Sequence, residues 1–233
     1  MQNLSRLELI IDKEKINKIK NTKILLVGLG GVGGYTFETL VRSGIKNITV
    51  VDGDTFEESN LNRQLLSLTS TINKNKTDVA EDRAKQINEN ININKITKVL
   101  TKDNIKEIDF KSYDYVIDAC DTIEIKKEII RTCTKNNIKF ITCMGTGKKM
   151  HPELLEITTL DKTEYDPIAK ILRKYVKEEK INKKIKVVSS KEKPIKINTT
   201  TIGSNSFVPA TAGILLTSYI INDIVGEIWK YTI

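Results

Sequence analysis

The sequence predicts an α/β protein with a mostly parallel sheet flanked by helices and an antiparallel elaboration in its C-terminal part. Between residues 23 and 145, short β-branched runs alternate with helical patterns, as in consecutive βαβ units. A G-x-G-x-x-G motif at Gly28, Gly30 and Gly33 lies between the first apolar run and the helix that follows it. Residues 154–160 alternate in polarity, which is typical of an antiparallel strand. Together these features indicate a Rossmann-like sheet.

Length and composition favour one globular domain. The chain has 233 residues, 39% of them hydrophobic and 29% charged, so it can bury a sizeable core. We expect three parts: N-terminal helices in residues 1–22, a nucleotide-binding core in residues 23–145, and a substrate-side elaboration with a final helix in residues 146–233. No export signal is evident, and apolar residues 210–221 are too few for a membrane span, which needs about 20 residues. We therefore expect a cytoplasmic protein without a transmembrane span.

A strand, a glycine turn, a helix and a second strand follow one another early in the chain. Residues 23–29 form the first apolar run, the helix continues to about residue 43, and residues 47–51 form the second strand. With Gly31 as a further glycine, the turn lets backbone N–H groups approach a phosphate, and the helix N-terminus adds partial positive charge. Asp52, at the end of the second strand, is placed to bind a ribose hydroxyl.

The loop after the second strand helps to decide between nucleotides. Its polar side chains, with a lysine in the first turn of the helix predicted over residues 73–90, are further candidates for nucleotide binding: Asp54, Ser59, Asn60, Arg63, Gln64 and Lys76. The pyrophosphate of a dinucleotide is already met by backbone amides. A triphosphate carries more charge and benefits from an arginine fork and a lysine. The loop therefore favours ATP and leaves NAD(P) open.

The later strands bring another carboxylate to the same edge of the sheet. We expect strands over residues 96–100, 113–119, 140–144, 154–160 and 185–189, and helices over residues 122–136, 167–179 and 209–225. Asp121 lies just past the central strand, at the edge where open α/β sheets bind ligands, and its carboxylate suits Mg²⁺. The alternative role of Asp121 is the N-cap of the next helix. Lys148 and Lys149, after the fifth strand, are expected to add positive charge.

Positive charge is concentrated in one region. The net charge is +8, and residues 162–196 contain twelve Lys or Arg against five Asp or Glu. A solvated lysine-rich surface and a polyanion-binding surface both fit this pattern. Three cysteines without a C-x-x-C pair and a single histidine, His151, argue against a tetrahedral zinc site and a Ser-His-Asp catalytic site.

Several spaced motifs resemble those of the ATP-dependent adenylyltransferases related to ubiquitin-activating enzymes. They are GLGGVG, VVDGDTFEESNLNRQ, Lys76 and IDACDT. The resemblance implies ATP and Mg²⁺ as cofactors, with Arg63, Lys76 and Asp121 as catalytic residues and Asp121 as the metal ligand. It also implies a homodimer in which Arg6 is a fourth catalytic residue, reaching ATP bound to the partner. The alternative for Arg6 is an exposed helix charge.

The second half of the chain resembles a narrower family, the tRNA threonylcarbamoyladenosine dehydratases. The matching segments are MGTGKKMHPELLEITTLDKTEYDPIAKILRK, KVVSSKEKP and SFVPATAG. The resemblance implies that ATP adenylates the carboxylate of the threonyl group on a tRNA adenosine and that a ring then closes. tRNA would be the partner, with its backbone bound by the basic region. A cysteine desulfurase system is a possible further partner.

Three other functions stay open at this stage. The first is an adenylyltransferase that activates a ubiquitin-like sulfur-carrier protein, although the zinc cysteines and the nucleophilic cysteine usual in that group have no counterpart here. The second is an NAD(P)-binding oxidoreductase, in which Arg63 and Lys76 would be dispensable. The third is a nucleotide sensor without catalytic activity.

Overall fold

The computed structural model describes residues 4–199 and 201–226 of the chain. Its strands are β1 (Lys23–Val27), β2 (Asn47–Val51), β3 (Asn92–Ile96), β4 (Tyr115–Asp118), β5 (Lys139–Cys143), β6 (Leu155–Thr159) and β7 (Lys186–Ser190). Its α-helices are α1 (Lys13–Asn21), α2 (Gly33–Arg42), α3 (Lys76–Ile87), α4 (Ile123–Lys135), α5 (Pro167–Glu178) and α6 (Phe207–Val225). A 3-10 turn, Leu7–Leu9, precedes α1. The start of the predicted N-terminal part and the end of the predicted third part lie outside the described residues.

One sheet contains all seven of these strands, in the order β3-β2-β1-β4-β5-β7-β6. Neighbours pair in parallel except β6 and β7, which are antiparallel with Ile157 opposite Val188. The strand order reverses between β1 and β4, and this switch point opens a crevice at the carboxyl edge, where such sheets bind ligands. The predicted fold class, including the antiparallel addition in the C-terminal part, is confirmed.

Apolar side chains cover both faces of the sheet. On one face, Ile16 of α1, Leu40 of α2 and Leu216 of α6 belong to the larger buried cluster. On the other face, Ile125 of α4 packs with Phe110 in a second cluster. Helices on both faces explain why the central parallel strands are apolar throughout instead of alternating.

Helix α6 packs its small and apolar side chains into the larger buried cluster. A Cβ on Gly213 would lie 2.4 Å from the carbonyl oxygen of Val32, so α6 crosses the start of α2 in close contact. Within the described residues, α6 is the one helix long and apolar enough to cross a membrane, judged by length and composition alone. Its packing against α1, α2 and the sheet accounts for that apolar character.

Most element boundaries agree with the prediction to within two or three residues, but the third strand does not. The sequence predicts residues 96–100, whereas β3 occupies Asn92–Ile96. β3 is an edge strand with mostly exposed polar side chains, so it lacks the apolar run on which such a prediction depends. Val99, inside the predicted strand, is 66% exposed. The division of the chain into three parts stays a prediction, and β6 and β7 of the third part join the same sheet as the core.

Candidate nucleotide site

The turn between β1 and α2 is packed so closely that two of its glycines leave no room for a side chain. A Cβ on Gly33 would lie 1.9 Å from the carbonyl oxygen of Gly28. Gly28 has a φ of +93°, and a Cβ there would lie 2.9 Å from the backbone of Ala119, just after β4. The turn is therefore held between the ends of β1 and β4, at the switch point of the sheet.

Gly30, in contrast, faces open space. The nearest neighbour of a Cβ on Gly30 would be Nε2 of Gln64 at 3.9 Å, whereas one on Gly31 would meet the ring of Pro209 at 3.3 Å. Gln64 is buried, and its Oε1 has no hydrogen-bond partner in the described part of the chain. A buried acceptor without a partner costs about 1–3 kcal/mol. The atom of Gln64 that faces the opening at Gly30 is the amide nitrogen, which can donate a hydrogen bond to a polar ligand there.

Asp52 holds the backbone of the glycine turn in place. Its Oδ2 accepts the N–H of Leu29 at 2.7 Å, and its Oδ1 accepts the N–H of Asp54 at 2.9 Å. Burial raises the pKa of Asp52, and the nearby Lys76 ammonium opposes that rise. Each carboxylate oxygen has a second lone pair, so the predicted bond to a ribose hydroxyl is compatible with these contacts.

Lys76 brings a cation to this place from the first turn of α3. Its side chain is 6% exposed, and its Nζ lies 2.9 Å from Oδ2 of Asp54, which is itself 66% exposed. The N–H of Lys76 also donates to the carbonyl oxygen of Asp54 at 3.1 Å. The loop after β2 and the start of α3 are thus joined next to Asp52, with the ammonium between them.

The rest of this loop is folded on itself. The Arg63 guanidinium donates to the carbonyl oxygen of Ser59 at 2.5 Å and to Oδ1 of Asn62 at 3.0 Å. Asn60 is buried, and its Oδ1 accepts the N–H of Glu57 at 3.2 Å. Asn60 therefore shapes the loop, whereas Arg63 is partly exposed and is free to turn toward a ligand by giving up two short-range contacts.

Asp121 and Arg6 belong to different parts of the structure. Asp121 follows β4 and is exposed. The N-cap of α4 is Thr122, so the alternative role of Asp121 as N-cap is wrong. Arg6, also exposed, lies near Leu4, which packs under Gly44. Because Gly44 follows the C-terminal end of α2, the segment that carries Arg6 lies near the end of α2 opposite the glycine turn. The 10 residues of α2 span about 15 Å.

A buried charge network beneath the site was not predicted as a unit. Nζ of Lys126 lies 3.0 Å from Oδ2 of Asp118 and donates to the carbonyl oxygen of Cys143 at 2.7 Å. The hydroxyl of Thr142 donates to the same oxygen of Asp118. The other oxygen of Asp118, Oδ1, accepts the N–H of Cys120 at 3.1 Å. Burial disfavours the charge on Lys126, but the Asp118 carboxylate outweighs it and raises the pKa of Lys126. The network joins β4, β5 and α4. The sequence indicates this network in one way only: Lys126 lies on the same face of α4 as the buried apolar residues.

The structure corrects the expected contribution of Lys149. Its side chain is buried, and its Nζ lies 3.3 Å from Oδ2 of Asp166 and 2.6 Å from the carbonyl oxygen of Gly145. Asp166 also caps α5, accepting the N–H of Ala169 at 2.9 Å. The charge of Lys149 is thus neutralised inside the protein, because α5 brings Asp166 to the end of β5, and it does not face a ligand.

Fold and site together define a class: an α/β nucleotide-binding protein with a glycine turn at the switch point and a lysine beside it. The chain belongs to the ThiF family, whose model matches residues 2–209. It is 34% identical to the tRNA threonylcarbamoyladenosine dehydratase of Bacillus subtilis (strain 168), over 98% of this chain and 96% of that protein. It is also 33% identical to the molybdopterin-synthase adenylyltransferase of Haemophilus influenzae, over 71% of this chain and 68% of that protein.

Solved structures agree with the sequence relatives. The crystal structure of E. coli tRNA N6-threonylcarbamoyladenosine dehydratase in complex with ATP matches this structure with a TM-score of 0.88. The two chains are 29% identical, and the match covers 95% of this chain and 93% of that one. The likeness therefore extends beyond the nucleotide core to β6, β7 and the helices of the third part.

Proposed function

We propose that this protein is an ATP-dependent tRNA threonylcarbamoyladenosine dehydratase. Near full-length similarity to the Bacillus subtilis enzyme supports this, as does the match to an ATP complex of the E. coli enzyme. The observation that carries the proposal is the contact of Lys76 with Asp54. It holds a lysine beside the glycine turn through a carboxylate that is exposed to solvent, so a phosphate can replace the carboxylate. A dinucleotide cofactor leaves this lysine without a role.

The proposed reaction activates a carboxylate and then uses it. The carboxylate of the threonyl group attacks the α-phosphorus of ATP and expels pyrophosphate, which gives an acyl-adenylate. The carbamoyl nitrogen then attacks the acyl carbon, loses its proton and expels AMP, so the nucleoside loses one water overall. Activation is required because a carboxylate is a poor electrophile. The protein acts by positioning the reactants and neutralising phosphate charge.

The residues of the site divide this work. The N–H groups of the glycine turn and the ammonium of Lys76 would hold the triphosphate, and Asp52 would accept a bond from the ribose. Arg63 would leave Ser59 and bind phosphate oxygens in a fork. Asp121 would hold Mg²⁺, which neutralises phosphate charge. In the described residues no cluster of three His, Cys, Asp or Glu could hold a metal alone, which fits an ion bound by one carboxylate and phosphates.

The cysteines support a mechanism without a protein thioester. Burial raises the pKa of Cys133 and Cys143 to about 12, and it raises the pKa of Cys120 well above its ordinary value. All three thiols therefore stay protonated near neutral pH and are poor nucleophiles. The second candidate function is a sulfur-carrier activator that uses a cysteine, and the protonated thiols disfavour it. Because the chain is similar to a molybdopterin-synthase adenylyltransferase, the experiment below also tests this function.

We further propose a homodimer in which Arg6 acts on ATP bound to the partner. Within one chain Arg6 lies at the far end of α2 from the glycine turn, so it cannot serve its own site without a large movement. Leu9 and Ile10, three and four residues further along the chain, are 78% and 59% exposed, and such neighbouring apolar side chains favour a protein contact. A cytoplasmic location and a cysteine desulfurase partner remain predictions of the family resemblance.

One experiment tests the proposed function directly. Purified protein, ATP, Mg²⁺ and threonylcarbamoyladenosine-containing tRNA should yield a nucleoside lighter by one water, detected by mass spectrometry after digestion. Lys76→Gln should slow this about 100-fold or more, the scale of losing a charge-stabilising donor. The matched control is Lys85→Gln, which removes an exposed lysine paired with Glu81 on the same helix and should leave the rate unchanged.

The outcome that contradicts the proposal is equally concrete. If tRNA gives no lighter nucleoside, while ATP–pyrophosphate exchange is stimulated by a protein ending in Gly-Gly, the protein activates a sulfur carrier instead. If the protein binds NAD(P) tightly, and Lys76→Gln binds it as tightly as the wild type, the results would support an oxidoreductase.

A further inference from the structure

A groove with an excess of positive charge lies between the C-terminal half of α5 and the segment leading into β7. It has a volume of about 580 Å³. Its charged lining, which we call the basic groove, consists of Arg173, Lys177, Lys180, Lys183, Lys184 and Asp161. Five cations thus face one carboxylate in a concave surface, where fields of the same sign add and attract anions.

The cations of the basic groove differ in how they are held. Arg173 donates to the carbonyl oxygen of Thr163 at 2.9 Å, and Lys183 donates to that of Thr134 at 2.8 Å, so both are fixed by neutral partners. Lys177, Lys180 and Lys184 are exposed and form no ion pair with any described residue.

Lysines at the opposite end of the sheet are paired. Lys85 lies 2.6 Å from Glu81, Lys95 lies 2.8 Å from Asp78, and Lys98 lies 3.2 Å from Glu107. Other exposed lysines, such as Lys74 and Lys111, also form no ion pair with any described residue. What distinguishes the basic groove is therefore that five cations line one concave surface with a single carboxylate.

Helix α5 connects the basic groove to the nucleotide end of the molecule. Its N-cap is Asp166, whose carboxylate lies next to Gly145 just after β5, and the helix ends at Glu178. A helix of 12 residues is about 18 Å long. Exposed Lys170 and Lys174 lie along the way.

We propose that the basic groove binds backbone phosphates of the substrate RNA, at the far end of α5 from the nucleotide site. Phosphodiesters suit it because lysines supply mobile point charges, which neutralise a backbone without reading its bases. The inference rests on the proposed function and adds a location to it. The nucleotide site binds ATP and the reacting nucleoside, and the groove supplies affinity for the stem that follows.

Three matched proteins test this: the wild type, a groove variant with Lys177→Gln, Lys180→Gln and Lys184→Gln, and a control with Lys85→Gln, Lys95→Gln and Lys98→Gln. Both variants lose the same charge. Binding of full-length tRNA is measured by filter retention from 50 to 300 mM KCl (about the range in which phosphate contacts are lost). The groove variant should bind roughly tenfold more weakly at low salt, with a slope of log Kd against log salt reduced by about 2. The control should match the wild type in slope, and the KM for ATP should be unchanged in all three.

A short RNA separates the groove from the nucleotide site. A trinucleotide centred on the modified adenosine is too short to span the roughly 18 Å of α5, so the wild type and the groove variant should bind it equally. If the groove variant and the control have the same tRNA slope, the basic groove is not an RNA site, while product formation by the wild type still supports the dehydratase. If the wild type neither binds tRNA nor releases the lighter nucleoside, the proposed function itself fails.

Discussion

Replacing Lys126 with methionine should be among the most destabilising single changes in this protein. Methionine keeps much of the side-chain volume but removes the ammonium that lies 3.0 Å from Asp118, where the two side chains are 1% and 0% exposed. Removing one partner of such a pair costs about 3–5 kcal/mol, because the remaining charge stays buried without compensation. In a protein of this size, that corresponds to a fall in Tm of about 6–20 °C.

The loss is measured as the change in urea midpoint and Tm at pH 7.5. This pH is suitable because the pKa of Lys126 is raised. A raised lysine pKa means that its stabilising charge is fully present below about 10.4 and is lost only as the pH rises above that. The matched control is Lys127→Met. Lys127 is the next residue on α4, is 24% exposed, and is paired with Glu124. The control should cost at most about 1 kcal/mol.

A double variant decides whether the charge pair is the cause. Combining Asp118→Asn with Lys126→Met removes the uncompensated carboxylate, so the double variant should be more stable than Lys126→Met alone. If Lys126→Met costs no more than Lys127→Met, or if the two changes simply add, then the pair does not stabilise the ends of β4 and β5. The explanation of how Asp118 holds the N–H of Cys120 beside the glycine turn would fail with it.

Three further outcomes follow from the site. Gly33→Ala should abolish ATP binding in calorimetry, whereas Gly34→Ala should bind normally, because its new Cβ would lie 3.7 Å from its nearest neighbour and not 1.9 Å. Since the pKa of Asp52 is raised, its stabilising contribution is present below about pH 3.9 and is lost as the pH rises through the raised value. Asp52→Asn loses one of the two bonds from backbone N–H groups, so it should be less stable than the wild type at low pH, and this deficit should shrink over that interval in urea titrations. If Arg6 acts on the partner, mixing inactive Arg6→Ala and Arg63→Ala proteins should restore about a quarter of wild-type product formation, and no recovery would exclude exchange of Arg6 between subunits.

Local signals were sufficient for the parts of the fold that depend on neighbours in the sequence. The glycine turn, the strand ending at Asp52 and the Asp166–Pro167 start of α5 each carry a signal within a few residues, and each lies where it was predicted. Strand β3 was misplaced because an edge strand needs little apolar surface, and its pairing with β2 is set by the sheet. The residues of the candidate site stay predictions until a ligand complex tests them.

Lysines were the residues whose roles the sequence could least assign, and their partners explain why. Three lysines are buried in the described part of the chain: Lys76, Lys126 and Lys149. The carboxylates that pair with Lys126 and Lys149 are 0% exposed, so no ligand can take their place. The carboxylate that pairs with Lys76 is 66% exposed, so a phosphate can displace it without burying a new charge. Exposure of the partner, which depends on residues distant in the chain, therefore separates the lysine that can bind ATP from the two that support the fold.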